Sequence, residues 1–162
     1  MTKFSKLAIG IVGAVLTLAH PAQARDLVFG IGSKDFGGGA AIDLEFHSDP
    51  ITRFAGADIA LGFVLSADTK SDTFVGGGIS AIRPIGDGPW FVEGSFMPGF
   101  FIAGSDATEL GQALEFRTLI GVGRSIGNGY QVSVAASHKS NGGLSDFNPG
   151  VNAITLRLRR AF

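Results

Sequence analysis

The chain has 162 residues, sets 13 Lys+Arg against 14 Asp+Glu, and contains 25 Gly, 14 Phe and no Cys. That length fits one domain of roughly 100–200 residues, and a formal charge of −1 leaves no basic stripe to neutralise nucleic-acid phosphates. The lack of Cys excludes a disulfide framework, thiolate metal sites and a Cys nucleophile. Mean hydropathy is +0.31 with only 17% charged residues, yet no apolar run beyond the N-terminus reaches the ~18–20 residues of a spanning helix. An apolar, glycine-rich chain without spanning helices is what a membrane β-barrel requires.

The first segment reads as an address. Lys3 and Lys6 precede an apolar stretch from Leu7 to Leu18, followed by His20, Pro21 and Ala22-Gln23-Ala24. This charged, apolar, small-x-small order is that of a secretory signal peptide, with cleavage expected after Ala24. Residues 1–24 are then a leader, and 25–162 form an exported domain.

From Arg25 onward the hydrophobic period is two rather than 3.6. Leu27, Phe29 and Ile31 alternate with Val28, Gly30 and Gly32; Ile42, Leu44 and Phe46 alternate with Asp43, Glu45 and His47, which ends the second segment. Ile59, Leu61, Phe63 and Leu65 follow, and then Phe74–Ile82, glycine-dense and open in phase. Trp90, Val92 and Phe96 oppose Phe91, Glu93, Ser95 and Met97; Leu114, Phe116, Ile120 and Val122 oppose Glu115, Arg117, Gly121 and Gly123. Tyr130, Val132, Val134 and Ala136, then Ile154, Leu156, Leu158 and Phe162, complete the series.

These eight segments are separated by Gly37-Gly38-Gly39, Ser66–Asp72, Gly86–Pro89, Gly104–Gly111 and Gly127–Gly129, among other turn-rich stretches. One face of most segments is bulky and apolar; the other holds Gly, Ala, Ser and a few charges, too small and too lightly charged for a solvated surface. It suits the filled lumen of a small barrel. The expected fold is all-β: an eight-stranded antiparallel transmembrane β-barrel of the bacterial outer membrane. With both termini in the periplasm, the short Gly86–Pro89 and Gly127–Gly129 turns fall on that side and the crossings after strands one, three, five and seven lie outside. Glu45, Glu93, Glu115, Arg117 and Arg157 are expected to pair inside the lumen. A metal at His47 would need a third convergent ligand.

The chemistry concentrates at the seventh crossing, Ser137 to Gly150, which holds the only His of the C-terminal half. His138 and Ser140 continue the even, lipid-facing set of their strand, and Asn152 belongs to the even set of the next. A hairpin closing near residue 145 brings Asn152 beside His138. His and Ser at i and i+2 share a face with Cα atoms about 6.6 Å apart, so an imidazole can act as base toward the hydroxyl. Asn141, Asn148 and the Gly142-Gly143 turn supply amide donors for an oxyanion.

The stretch His138-Lys139-Ser140-Asn141-Gly142-Gly143, followed by Asn148-Pro149-Gly150 and a terminal amphipathic strand, resembles the lipid A 3-O-deacylase family (the PagL type). The resemblance is specific over residues 137–150 and general over the rest. It implies an outer-membrane esterase, without a metal or other cofactor, that hydrolyses the 3-O-linked acyl chain of lipid A in the outer leaflet. By the same resemblance Ser140 is the nucleophile, His138 the base, and Asn141 and Asn148 build or support the oxyanion site. The family's acidic triad member falls on Asn152, which can orient the imidazole but brings no charge. Asn152 as a weaker orienter, Asp146 swinging in as the acid, and a slow enzyme are the alternatives, in that order. Lys139 reads as an outer-rim base for lipid A phosphates or as a snorkelling side chain. The catalytic segment is thus 137–152, the partner is lipopolysaccharide, and homodimerisation is left open. The rival reading is a structural or adhesion barrel with a decayed triad.

Overall fold

The computed structural model describes residues 25–35, 37–104 and 110–162. The expected leader, 1–24, and residues 105–109 of the Gly104–Gly111 crossing lie outside the described residues. Period-two alternation yields eight strands: β1 (Asp26–Lys34), β2 (Gly39–Phe54), β3 (Ala57–Asp68), β4 (Thr73–Pro84), β5 (Trp90–Ile102), β6 (Leu114–Gly127), β7 (Tyr130–Ser140) and β8 (Val151–Ala161). Each pairs antiparallel with its sequence neighbour, and β1 also pairs with β8 from Asp26↔Ala161 to Lys34↔Ala153, so the sheet closes into a barrel. Closure removes every sheet edge, the condition for placing strands in hydrocarbon, where no water can satisfy a bare N–H.

Alternation sorts the side chains. On β6 Ile120 is 70% exposed while Leu119 beside it is 6% exposed, and the same contrast separates Leu61 from Val64 and Phe100 from Phe101. The outward set is a band of Phe, Ile, Leu and Val around the barrel, suited to lipid. The open phase of Phe74–Ile82 is settled by Phe74 and Ser80, which are buried, and Ile79, which is exposed. Glycines here and on the facing β5 permit close strand approach: a Cβ on Gly78 would run into the Phe96 carbonyl oxygen, and one on Gly99 of β5 into that of Val75.

The second strand does not end at His47. It continues to Phe54 through register shifts around Pro50, with Pro50↔Ala60 and Phe54↔Ala57 still paired. Pro50 sits at a bulge, where its missing N–H costs the ladder least, and Ser48 Oγ accepts the Leu61 N–H at 3.1 Å.

The lumen is filled by paired charges. Arg117 Nη2 lies 3.0 Å from both Asp43 and Glu45. Arg157 donates to the two Glu45 oxygens at 2.8 and 2.9 Å and reaches Glu93 at 3.1 Å. Arg159 joins Glu93 and Asp26, each at 2.9 Å. Its guanidinium also donates to His47 Nδ1 at 2.9 Å. A guanidinium cannot accept, so His47 carries its proton on Nε2 and donates it to Glu45 at 2.9 Å. Both His47 nitrogens are thereby occupied, and no metal-binding group of His, Asp or Glu exists among the described residues.

Glu115 departs from the expected network. It is fully buried, yet neither carboxylate oxygen has a hydrogen bond; the cation that acts on it is Lys139. Its position explains this, because Glu115 stands at the long-loop end of β6 while Arg117, two residues on, is turned to Asp43 and Glu45. That end of the lumen is closed instead by an apolar cluster of Val64, Phe74, Met97, Phe101, Leu110 and Val151.

Removing one member of a buried ion network leaves uncompensated charge. Arg157→Ala strands Glu45 and Glu93 and is expected to lower stability by about 3–5 kcal/mol, read from urea unfolding in lipid vesicles by Trp90 fluorescence. A loss below about 1 kcal/mol would show that the pairing contributes little.

Candidate functional site

The ladder between β7 and β8 pairs His138 with Asn152 and Lys139 with Val151. Both His138 and Asn152 point out of the barrel at the end carrying the longer connections. His138 Nδ1 and Asn152 Oδ1 are 2.9 Å apart. A carbonyl oxygen only accepts, so the imidazole carries its proton on Nδ1 and presents the Nε2 lone pair. The ring is confined on its other side by Gly150, where a Cβ would stand 2.7 Å from His138 Cε1 and 3.3 Å from Nε2. Gly150 also has φ +66, a left-handed conformation that any side chain would strain.

Ser140 lies two residues along the same outward face, half-buried, and pairs with Phe116 of β6. No hydrogen bond joins Ser140 to His138 among the described residues. Beside Ser140, Phe116 stacks on Phe96 with centroids 5.8 Å apart and planes at 11°. Sequence reading placed both rings on the lipid face but gave them no part in the site.

The amide-rich turn separates into spent and open donors. Asn141 is wholly buried. Its Nδ2 donates to the Leu110 and Phe147 carbonyls, both at 2.9 Å, while its Oδ1 accepts the Gly143 N–H at 2.9 Å. The Asn141 side chain and the Gly143 N–H are therefore committed to holding the loop, the supporting one of the two roles expected for this turn. Asn148 Oδ1 accepts the Asn141 N–H at 3.0 Å, which leaves its Nδ2 without a partner among the described residues. The Gly142 N–H is likewise open, and the residue packs against the Phe116 ring, where a Cβ would meet it at 3.2 Å.

Asp146 is exposed and forms no hydrogen bond or ion pair among the described residues; Asn152 occupies the His138 Nδ1 position. Lys139 has odd parity on β7 and enters the lumen, where its ammonium lies over Phe74 at 5.7 Å and Phe101 at 5.9 Å. It does not reach the outer rim. One contact was invisible in sequence: Asp35, at the end of β1, receives the Asn152 N–H on Oδ1 at 3.1 Å and donates its own N–H to the Asn152 carbonyl at 2.8 Å.

The family model for lipid A 3-O-deacylase (PagL) matches residues 75–161, which takes in nearly all of β4 and everything through β8. Comparison with curated proteins returns no match. Among solved structures, the chain is similar to the crystal structure of the outer membrane enzyme PagL, with a TM-score of 0.72 and 20% identity over 85% of this chain and 99% of that one. It is also similar to a de novo designed transmembrane β-barrel, with a TM-score of 0.56, 8% identity, and 86% and 96% coverage. Neisserial surface protein A gives a TM-score of 0.51, 13% identity, and 85% and 94% coverage. At such identities the structures share the fold, a closed eight-stranded membrane barrel.

Asn141→Ala removes the tie between the loop and the Leu110 carbonyl and leaves buried carbonyls unpaired. Limited proteolysis of the folded barrel should then cut within 142–150 at least about fivefold faster, since about one to three kcal/mol of local stability is lost. An unchanged cleavage rate would contradict a structural role for this side chain.

Proposed function

The chain belongs to the lipid A 3-O-deacylase family, and we propose that it hydrolyses the ester-linked acyl chain at position 3 of lipid A from within the outer leaflet of the outer membrane. The observation that carries this reading is the His138–Asn152 pair on the lipid-facing side of β7 and β8, with its ring tautomer set so that Nε2 is basic. A soluble substrate would not be sought on that face. A lipid reaches it by lateral diffusion.

In the proposed reaction the Ser140 hydroxyl comes within about 3 Å of His138 Nε2 and gives up its proton as Oγ attacks the ester carbonyl. Asn148 Nδ2 and the Gly142 N–H are the open donors for the tetrahedral oxyanion. Collapse breaks the ester bond, the imidazolium returns its proton to the departing 3-oxygen of the sugar, and water, deprotonated by His138, releases the fatty acid from Ser140. By family resemblance that acid is 3-hydroxylated. The Phe96–Phe116 stack beside Ser140 offers an apolar wall for the acyl chain.

Asn152 orients the ring without charge. In a serine protease, Asp→Asn at this role costs about 10⁴ in turnover, partly through the wrong tautomer; here Asn152 Oδ1 accepts the Nδ1 proton, so the tautomer is the productive one. The leader over 1–24 supports export to the outer membrane with cleavage after Ala24. Asn152 and the unjoined Ser140 also support the rival reading, a structural or adhesion barrel without turnover.

Mass spectrometry of lipid A from cells expressing the protein and its Ser140→Ala variant separates the two. The deacylase reading expects loss of one hydroxyacyl mass with the intact protein only. Unchanged lipid A in both, with the folded barrel present in the outer membrane, would contradict it. Asn148→Ala is expected to lower turnover about 10²–10³-fold, as for a lost oxyanion donor, while Asn148→Asp, which keeps Oδ1 but loses Nδ2, should not restore it.

A further inference from the structure

We propose that Asp35, at the end of β1, is a positioning residue of this site, holding Asn152 by both backbone groups and bringing to it the negative charge that the Asn152 side chain lacks. The proposal rests on the deacylase reading for its catalytic consequence, and on the geometry alone for its electrostatic one.

Barrel closure brings the two residues together. The β1–β8 ladder runs to Lys34↔Ala153, and the next rung is the Asp35 N–H donating to the Asn152 carbonyl at 2.8 Å. At Asp35 the chain then leaves the ladder with φ +46, a left-handed conformation in which Asp and Asn are over-represented among non-glycine residues. That turn removes the Asp35 carbonyl from the position where the Asn152 N–H would find it, and the carboxylate replaces it at 3.1 Å. Asn152 is thus clamped by Asp35 on its β1 side while its amide oxygen holds His138 on its β7 side.

The charge is available. Asp35 forms no ion pair among the described residues, because its neighbour Lys34 is turned inward onto Asp68 and Asp72, each at 2.6 Å. Charged groups bearing on His138 come from each element around it. Glu115 of β6 acts from the lumen side, and Lys139 of β7 sits over lumenal rings. Asp146 belongs to the exposed β7–β8 connection and forms no hydrogen bond or ion pair among the described residues. Asp35 and His138 are joined through Asn152, whose backbone N–H donates to the Asp35 carboxylate and whose side-chain oxygen accepts the His138 Nδ1 proton.

Asp35→Asn keeps the turn conformation and an accepting Oδ1 and removes only the charge. The test compares wild type, Asp35→Asn, Asn152→Glu and the double variant in detergent micelles, following the His138 imidazole by ¹³C NMR across pH and lipid A turnover alongside. Asp35→Asn is expected to shift His138 protonation to lower pH by about half a unit and to lower kcat about threefold, with KM unchanged. With Glu at position 152 supplying its own charge, the same substitution should change either quantity by less than about 1.5-fold. An unmoved His138 titration, or an equal loss in both backgrounds, would overturn the proposal and leave Asp35 as a strand cap. The NMR shift decides this whether or not lipid A is cut, whereas failure of the deacylase reading would show as equal turnover in wild type and Ser140→Ala.

Discussion

The structure depends on a ladder with no free edge. Each strand is paired on both sides, β1 with β8 as well as β2, because an unpaired backbone amide in hydrocarbon costs several kcal/mol. Once the ladder is closed, parity is not negotiable: a one-residue slip would turn every lipid-facing side chain of that strand into the lumen. His138 and Ser140 therefore stand on the outside because Val132, Val134 and Ala136 do. The register that buries Arg157 and Arg159 also sets Asn152 opposite His138.

The lumen gives this wall its rigidity. Three arginines thread between Asp26, Asp43, Glu45 and Glu93, with neutral His47 bridging Arg159 and Glu45. Toward the long-loop end the lumen holds an apolar cluster, with Lys139 over Phe74 and Phe101, and a second buried ion cluster of Lys34 with Asp68 and Asp72. Asn141 fastens the loop after β7 to the apolar cluster through the Leu110 carbonyl. The site is thus assembled from exposed groups whose positions are set by buried ones. Rigid support of this kind is what holds catalytic donors in place before substrate arrives.

Much of this was legible in sequence, and the reason is parity. A period of two with small lumenal residues leaves few folds, and the same parity aligns His138, Ser140 and Asn152 before any coordinates exist. Lys139 was misread for want of applying that rule, since its odd position already placed it inside. Other features had no sequence signal. Whether an Asn amide is spent or open depends on which carbonyls surround it, so Asn141 and Asn148 look alike in the chain and differ in the fold. Asp35 is separated from Asn152 by 117 residues and reaches it only through closure and a left-handed turn. The continuation of β2 past His47 to Phe54 likewise depends on a bulge at Pro50 that the alternation does not announce.

The central claim is that the hydroxyl of Ser140, on the lipid-facing wall, is a nucleophile activated by His138. A lipophilic fluorophosphonate, which phosphonylates activated serines with loss of fluoride, tests it directly when applied to the protein in bilayers and followed by peptide mass spectrometry. The account predicts a single adduct on Ser140 that disappears in His138→Ala while the barrel remains folded. Labelling of a different serine, no adduct at all, or an adduct indifferent to His138 would contradict it.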